Sequence, residues 1–408
     1  MRRKAVFFCL LILSATDLYS QKKESPVSLK VDSGYVEVEG GKLFYEVAGA
    51  GETIVLLHDG ILHSVVWDEQ FPVLAKNHRV VRYDRRGFGK SFNPQTPFSH
   101  VDDLNLLFNQ LKIDQAIVFG MSAGGGMAID YTLKYPERIK ALVLVGAVVS
   151  GYGYSTHFLT RGGHINSLVE YLDPPKFIKY FGWEDPYEIY PENVKAKEKF
   201  LSLLEANPLN VNGALGYFAQ PPERSAVKFL SEIKVPALIL VGEFDIPDVH
   251  AHSGVIEAGI PGSKREIIFK SGHLIPLEQP GAFNVSVLRF LNGLEFFDIF
   301  NSQGVAAAVQ YFHNKRQTEP DIVFFEESEM NALGYHFLQN GKIKDAIEIF
   351  KLNTIAYPDS GNVYDSLGEA YLKDGQKDLA LKNYEKAVEL NPGNSAAKQV
   401  IKELKQGK

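Results

Sequence analysis

One pentapeptide, Gly120-Met121-Ser122-Ala123-Gly124, constrains this chain more than any other stretch. Gln115 to Phe119 before it reads as a short buried strand, and Ala123 to Lys134 after it reads as a helix. A serine between the two occupies a tight strand-to-helix turn, which the backbone adopts only where its neighbours are small. Gly120 and Gly124 supply that room. Such a turn pushes the serine oxygen clear of the sheet and aims backbone N–H groups at whatever it attacks. Taken alone, the pentapeptide reads equally well as a glycine-rich turn, so the rest of the chain has to decide.

At 408 residues the chain is long enough for two domains. With 45% hydrophobic and 23% charged residues it has the composition of an ordinary soluble globular protein. A net charge of -6 argues against a nucleic-acid surface. Arg2, Arg3 and Lys4 precede the apolar run Ala5 to Leu13, and a polar segment with small residues ends near Ser20-Gln21. Residues 1–20 therefore read as a cleavable secretory signal, with a retained membrane anchor as the alternative. Lipid attachment fits less well, because Cys9 lies inside the apolar run. Cys9 is the only cysteine, so signal removal leaves no disulfide and no thiol chemistry. No other long apolar run occurs. No membrane span is expected after signal removal, and the expected location is an exported compartment, periplasmic or extracellular.

Residues 22–34 read as a polar linker. Tyr35 to Val38 and Lys42 to Val47 alternate about Gly40-Gly41, as in an opening hairpin. Thr53 to Leu57 is continuously apolar, as a strand buried on both faces is, and it ends in His58-Asp59-Gly60. Trp67 to Ala75 is helix-like, Arg79 to Tyr83 is strand-like, and Val101 to Leu111 has helical spacing. Ile139 to Val145, Ala237 to Val241 and Lys264 to Phe269 read as further strands, and Leu277 to Leu291 as a closing helix. This alternation predicts an α/β fold, a doubly wound, mostly parallel sheet covered on both faces. It breaks at about 148–230, a stretch rich in Tyr, Phe, Pro and Gly that reads as a helical cap insertion.

The C-terminal part differs in kind. Leu333-Gly334, Phe337, Ala346, Phe350 and Pro358 recur as Leu367-Gly368, Tyr371, Ala380, Tyr384 and Pro392, each pair 34 residues apart. That period and those anchors resemble the tetratricopeptide repeat, giving two repeats over 327–394. Small residues let paired helices approach, aromatics fill the groove between them, and proline stops the second helix. Two repeats fall short of the three or so that stability normally needs. Ala308, Phe312 and Pro320 repeat the second-helix spacing once more, so 294–326 reads as a linker or a degenerate helical repeat.

A serine hydroxyl is a weak nucleophile and needs a base, which in turn needs a group to hold its tautomer. Asp245 follows one predicted strand and His273 the next, in the chain order Ser, Asp, His that a parallel sheet bearing such a turn requires. With LLHDG, YDRRGFGKS, GMSAGG, VGEFD and SGHLIPLEQP in that order, residues 35–293 resemble an α/β-hydrolase of the serine hydrolase type with a cap domain. The resemblance implies Ser122 as nucleophile, His273 as general base and then acid, and Asp245 as its orienter. It implies an oxyanion hole from the backbone N–H groups of Ala123 and Gly60. Asp59 departs from the pattern, since many relatives carry glycine after this histidine. A carboxylate there is expected to point outward, because pointing inward it would oppose an oxyanion.

Each of these residues has a blander reading. His273 could cap a helix, Asp248 rivals Asp245, and His58 fits a structural brace of the oxyanion turn. Arg85 and Arg86 fit turn residues better than substrate clamps, while His63, His157 and His164 stay unassigned. No histidine spacing suits a metal, and neither a P-loop nor a dinucleotide fingerprint occurs, so no cofactor and no metal are expected.

A serine nucleophile implies acyl transfer to water from a small acyl substrate, in the manner of a carboxylesterase. Tyr152, Tyr154, Phe158, Trp183 and Phe218 in the cap imply a largely apolar pocket. The alternatives are a non-catalytic ligand-binding scaffold acting through its repeats, and an aminopeptidase-like or C–C bond hydrolase. The repeats imply a protein partner or self-association.

Overall fold

The computed structural model describes residues 29–160, 174–206, 218–320, 322 and 324–406. The expected signal at 1–20, His164 and parts of the expected cap lie outside the described residues. Eight strands form one sheet in the order β1-β2-β4-β3-β5-β6-β7-β8. They are β1 Val31–Val38, β2 Gly41–Ala48, β3 Thr53–Leu57, β4 Arg79–Tyr83, β5 Ala116–Met121, β6 Ile139–Val145, β7 Ala237–Gly242 and β8 Lys264–Ile268. β1 and β2 pair antiparallel, β2 pairs antiparallel with β4, and all other pairings are parallel. β1 starts four residues before the expected Tyr35, because Val31 to Gly34 find register partners along β2 from Ala48 to Tyr45.

The central strands β3, β5, β6 and β7 read as near-continuous apolar runs because both faces are covered. In β3, Ile54 and Leu56 enter one core while Val55 and Leu57 enter the other. β5 divides in the same way, with Ile117, Phe119 and Met121 on one face and Ala116 and Val118 on the opposite face. Helices His100–Gln110 and Ala123–Lys134 cover the second face, and part of helix Pro280–Gln303 covers the first. The expected single helix over Trp67 to Ala75 is instead a 3-10 turn, Ser64–Trp67, followed by a short helix, Phe71–Leu74. Pro72 sits in the first turn of the second piece, where its missing N–H costs nothing.

The closing helix does not stop at Leu291. It runs from Pro280 to Gln303 and ends at Gly304, φ 88. Its first half packs Phe283, Val287 and Leu291 on the sheet, and its second half puts Phe296 into a separate helical core. That core continues through helices Val305–Thr318, Glu327–Gln339, Ile343–Ala356, Gly361–Lys373, Lys377–Leu390 and Ser395–Lys405. The glycines of the repeat act as their spacing implies. A Cβ on Gly334 would lie 2.4 Å from the Phe350 ring, and one on Gly368 would lie 3.2 Å from the Tyr384 ring. Asn394 caps the last helix through its side chain.

Candidate active site

The sheet order places the site. From β3 the chain passes to β4 on one side and returns to β5 on the other, so a crevice opens beyond the carboxyl ends of β3 and β5. Gly60 follows β3 and Ser122 follows β5. These two strands are direct neighbours, with Leu57 opposite Gly120. A Cβ on Gly60 would lie 3.8 Å from that of Ala123, so the two expected N–H donors belong to adjoining residues.

Ser122 has φ 52 and ψ -117, a left-handed conformation that non-glycine residues rarely hold. The surroundings impose it. Gly120 packs so closely that a Cβ would lie 2.5 Å from Gly124 O, and one on Gly124 would lie 2.5 Å from His58 O. The Ser122 N–H donates to Val145 O at 2.8 Å, and helix Ala123–Lys134 starts directly after it.

His273 and Asp245 meet at the far ends of β8 and β7. His273 Nδ1 lies 2.9 Å and 3.0 Å from the two Asp245 carboxylate oxygens, and both side chains are buried. A carboxylate only accepts, so Nδ1 carries a proton, and in the neutral ring Nε2 is then the basic nitrogen. Of the two aspartates on this loop, Asp245 reaches His273. Asp248 accepts instead from Ser155 N and Oγ, at 2.6 and 2.7 Å. Gly146, φ 51, sits between the pair and the serine turn. A Cβ on it would lie 3.0 Å from His273 Nδ1 and 3.2 Å from Asp245 Oδ2, and its neighbour Val145 holds Ser122 N.

The turn after β3 corrects one expectation. Asp59 does not point outward: it is 1% exposed, and its Oδ1 accepts from Ile61 N at 2.5 Å and Leu62 N at 2.7 Å. His58 braces the turn. Its Nε2 accepts from Arg85 N at 2.9 Å, so Nδ1 holds the proton and donates to Asp59 O at 2.7 Å. Burial holds its pKa well below that of an ordinary histidine, with Arg85 adding to the effect. Arg86 is tied to Asp103 by two hydrogen bonds of 2.6 and 2.7 Å, and Arg85 donates to Asp59 O. His63 Nδ1 lies 3.3 Å from Asp84.

Gly146 and Glu278 carry weight that the sequence reading did not assign. Glu278 Oε1 accepts from Gly272 N and Oε2 from the cap residue Tyr190 N, both at 2.7 Å. His273 N and Leu274 N donate to the cap carbonyls of Tyr187 and Glu188. Burial pushes the Glu278 carboxyl up to about 8, against the pull of its two N–H donors, and the nearby charges of Asp245 and Glu188 add to the rise. A lone acid six residues beyond Gly272 in an apolar stretch was the available signal.

A cavity of about 660 Å³ reaches Ala123. It is less apolar than expected: Tyr152, Tyr154 and Met127 share its wall with Arg85, Asp130 and Lys134. Phe158 stacks on Tyr154 at 4.2 Å, and Trp183 lies 60% exposed. Among the described residues no group of three or more His, Cys, Asp or Glu side chains is placed to hold a metal ion. No described helix is long and apolar enough to cross a membrane.

A family model described as alpha/beta hydrolase fold matches residues 52–280, and a tetratricopeptide repeat model matches residues 361–394. The 2-hydroxy-6-oxononadienedioate/2-hydroxy-6-oxononatrienedioate hydrolase of Escherichia coli K12 is 31% identical over 280 residues, covering 62% of this chain and 93% of that protein. Est816, described as an N-acyl homoserine lactone degrading enzyme, superposes with a TM-score of 0.53 at 28% identity, over 62% of this chain and 98% of its own. A bromoperoxidase from Bacillus anthracis superposes with a TM-score of 0.53 at 25% identity, over 64% and 99%.

Proposed function

The chain belongs to the α/β-hydrolase fold family, and on that footing we propose that it is an exported, carboxylesterase-like serine hydrolase that cleaves an ester-type acyl bond. One observation carries this reading: a buried carboxylate takes the Nδ1–H of His273, and Gly146, the neighbour of the residue that holds Ser122 N, lies against that pair, while Ser122 itself keeps a positive φ. In the first step Ser122 Oγ bonds to the acyl carbon while its proton moves to His273 Nε2. The carbonyl oxygen takes the displaced electron pair and accepts from the N–H groups of Ala123 and Gly60. Collapse re-forms the C=O and breaks the bond to the leaving alcohol oxygen, which takes the proton from His273. Water then attacks the acyl-enzyme, giving a proton to His273. The second collapse frees the acid and returns that proton to Ser122. Asp245 keeps the ring in the required tautomer and offsets the imidazolium charge.

Carbon–carbon bond hydrolysis is the second reading, favoured by the 31% identity to the E. coli dienedioate hydrolase. Export rests on the basic residues and apolar run within 1–20. The repeats are proposed to bind a protein partner or a second copy of the chain. A fluorophosphonate probe tests the core of the proposal: it should label the wild type and not S122A. A wild type that stays unlabelled and inert toward p-nitrophenyl acetate and a dienedioate would leave the non-catalytic scaffold as the better account.

A further inference from the structure

We propose that Asp59 and Arg85 are positioning residues of the oxyanion turn, which together withdraw the neighbouring Ile61 and Leu62 N–H groups from competition and fix where the Gly60 N–H points. This rests on the serine-hydrolase reading above. A turn leaving β3 brings several consecutive N–H groups to the same rim, and any of them could compete for the reacting oxygen. The Asp59 carboxylate removes two, Ile61 N–H and Leu62 N–H, through Oδ1. Asp84 removes another, Ser64 N–H, at 3.0 Å. Among the described residues nothing accepts from the N–H of Gly60 or of Ala123.

The opposite end of the same peptide unit is clamped. The carbonyl oxygen of Asp59 and the N–H of Gly60 belong to one planar peptide group, and in the trans form they point in opposite directions. Two donors occupy that oxygen: His58 Nδ1–H at 2.7 Å and an Nη2–H of Arg85. Holding the oxygen holds the direction of the N–H. The cation drawing on the oxygen also strengthens the N–H as a donor, as successive hydrogen bonds polarise one another. Arg85 acts twice, because its backbone N–H sets the His58 tautomer that allows the second clamp.

Among the described residues Arg85 makes no ion pair. It is buried, its Nε has no partner among the described residues, and its guanidinium lies 4.8 Å over the Phe88 ring. Asp59 Oδ2 is likewise buried without a partner. The carboxylate at position 59 thus comes with a nearby cation that counters its field without contacting it. This accounts for a charged residue where an oxyanion has to be tolerated.

The test uses the full chain, with p-nitrophenyl acetate as substrate and an aryl trifluoromethyl ketone as transition-state probe. The wild type must first be labelled by fluorophosphonate in a Ser122-dependent way; if it is not, the hydrolase reading itself fails. Given that activity, R85M is expected to lower kcat about tenfold to hundredfold, less than deleting an oxyanion donor outright. KM should stay within about threefold, and the ketone should bind more weakly in the same ratio as kcat/KM. D59A should do likewise, and D59N, which keeps the Oδ1 acceptor, should restore most of that loss. Should R85M fail to fold, D59A against D59N carries the test. Unchanged kcat and ketone affinity per titrated active site in the folded variants would overturn the proposal, as would losses confined to KM.

Discussion

Gly146 leaves His273 no spare room. G146A adds a methyl group 3.0 Å from Nδ1 at a residue with φ 51, so it strains the backbone and displaces the ring together. We expect kcat to fall about tenfold or more through a misplaced base, with stability lower by about 1 kcal/mol or more. Steady-state kinetics beside a melting curve checks both. Glu278 predicts a pH dependence. Its carboxyl sits at about 8 in the fold against an ordinary value of 4.5, so between those values the folded state binds more protons than the unfolded one. The stabilising effect of the protonated form is complete below the ordinary value and is lost as pH rises toward about 8, at up to about 1 kcal/mol per pH unit. E278Q should flatten that fall, while lowering stability overall by about 1 kcal/mol because its amide cannot accept from both Gly272 and Tyr190. Urea melts from pH 5 to 9 would show it. At this scale Ser122, Asp245 and His273 could be singled out because each follows a strand in chain order. The direction of Asp59 could not, because it depends on which N–H groups its own turn presents once folded, while Arg85, 26 residues away, clamps the carbonyl of the same residue.

The strand-to-helix turn is set by what its glycines touch. A Cβ on Gly124 would lie 2.5 Å from His58 O and 2.7 Å from Leu57 O, both backbone atoms that cannot step aside. G124A is therefore expected to cost about 1–3 kcal/mol and to shift the neighbouring oxyanion turn, lowering activity beyond the loss of folded protein. Denaturant titration with active-site counting separates the two effects. Most elements were legible because apolar runs and helical spacing report burial directly. The helix Pro280–Gln303 was not, because its apolar face changes partner midway, from the sheet to the helical core, and a single periodicity then no longer describes it. The 3-10 turn Ser64–Trp67 was missed for a related reason, since four residues are too few to show a period.

At the scale of the molecule, the repeats and the hydrolase sheet share one long helix. Phe296 on that helix meets Phe325 at 5.6 Å, Phe300 meets Phe337 at 5.8 Å, and helix Val305–Thr318 packs on Ile343–Ala356. Salt bridges Arg289–Glu326 and Lys264–Glu329 join the two parts at the surface. Deleting residues 327–408 would strip Phe337 from the Phe300 ring and helix Ile343–Ala356 from Val305–Thr318, baring large apolar side chains that each contribute about 2 kcal/mol of burial. We expect an insoluble or strongly destabilised remainder, read by sedimentation and thermal melting; a soluble, active product with an unchanged midpoint would rule this out. The sequence by itself determined the fold family, the repeat and the three residues nominated for chemistry. Each of these is written in local spacing, in chain order, or in small residues wherever two backbones must touch. Only the tertiary structure decided how Asp59 turns, that Glu278 ties the cap to the His273 loop, and that one helix serves both cores. Those outcomes depend on which distant groups share a buried volume, and linear spacing does not record that.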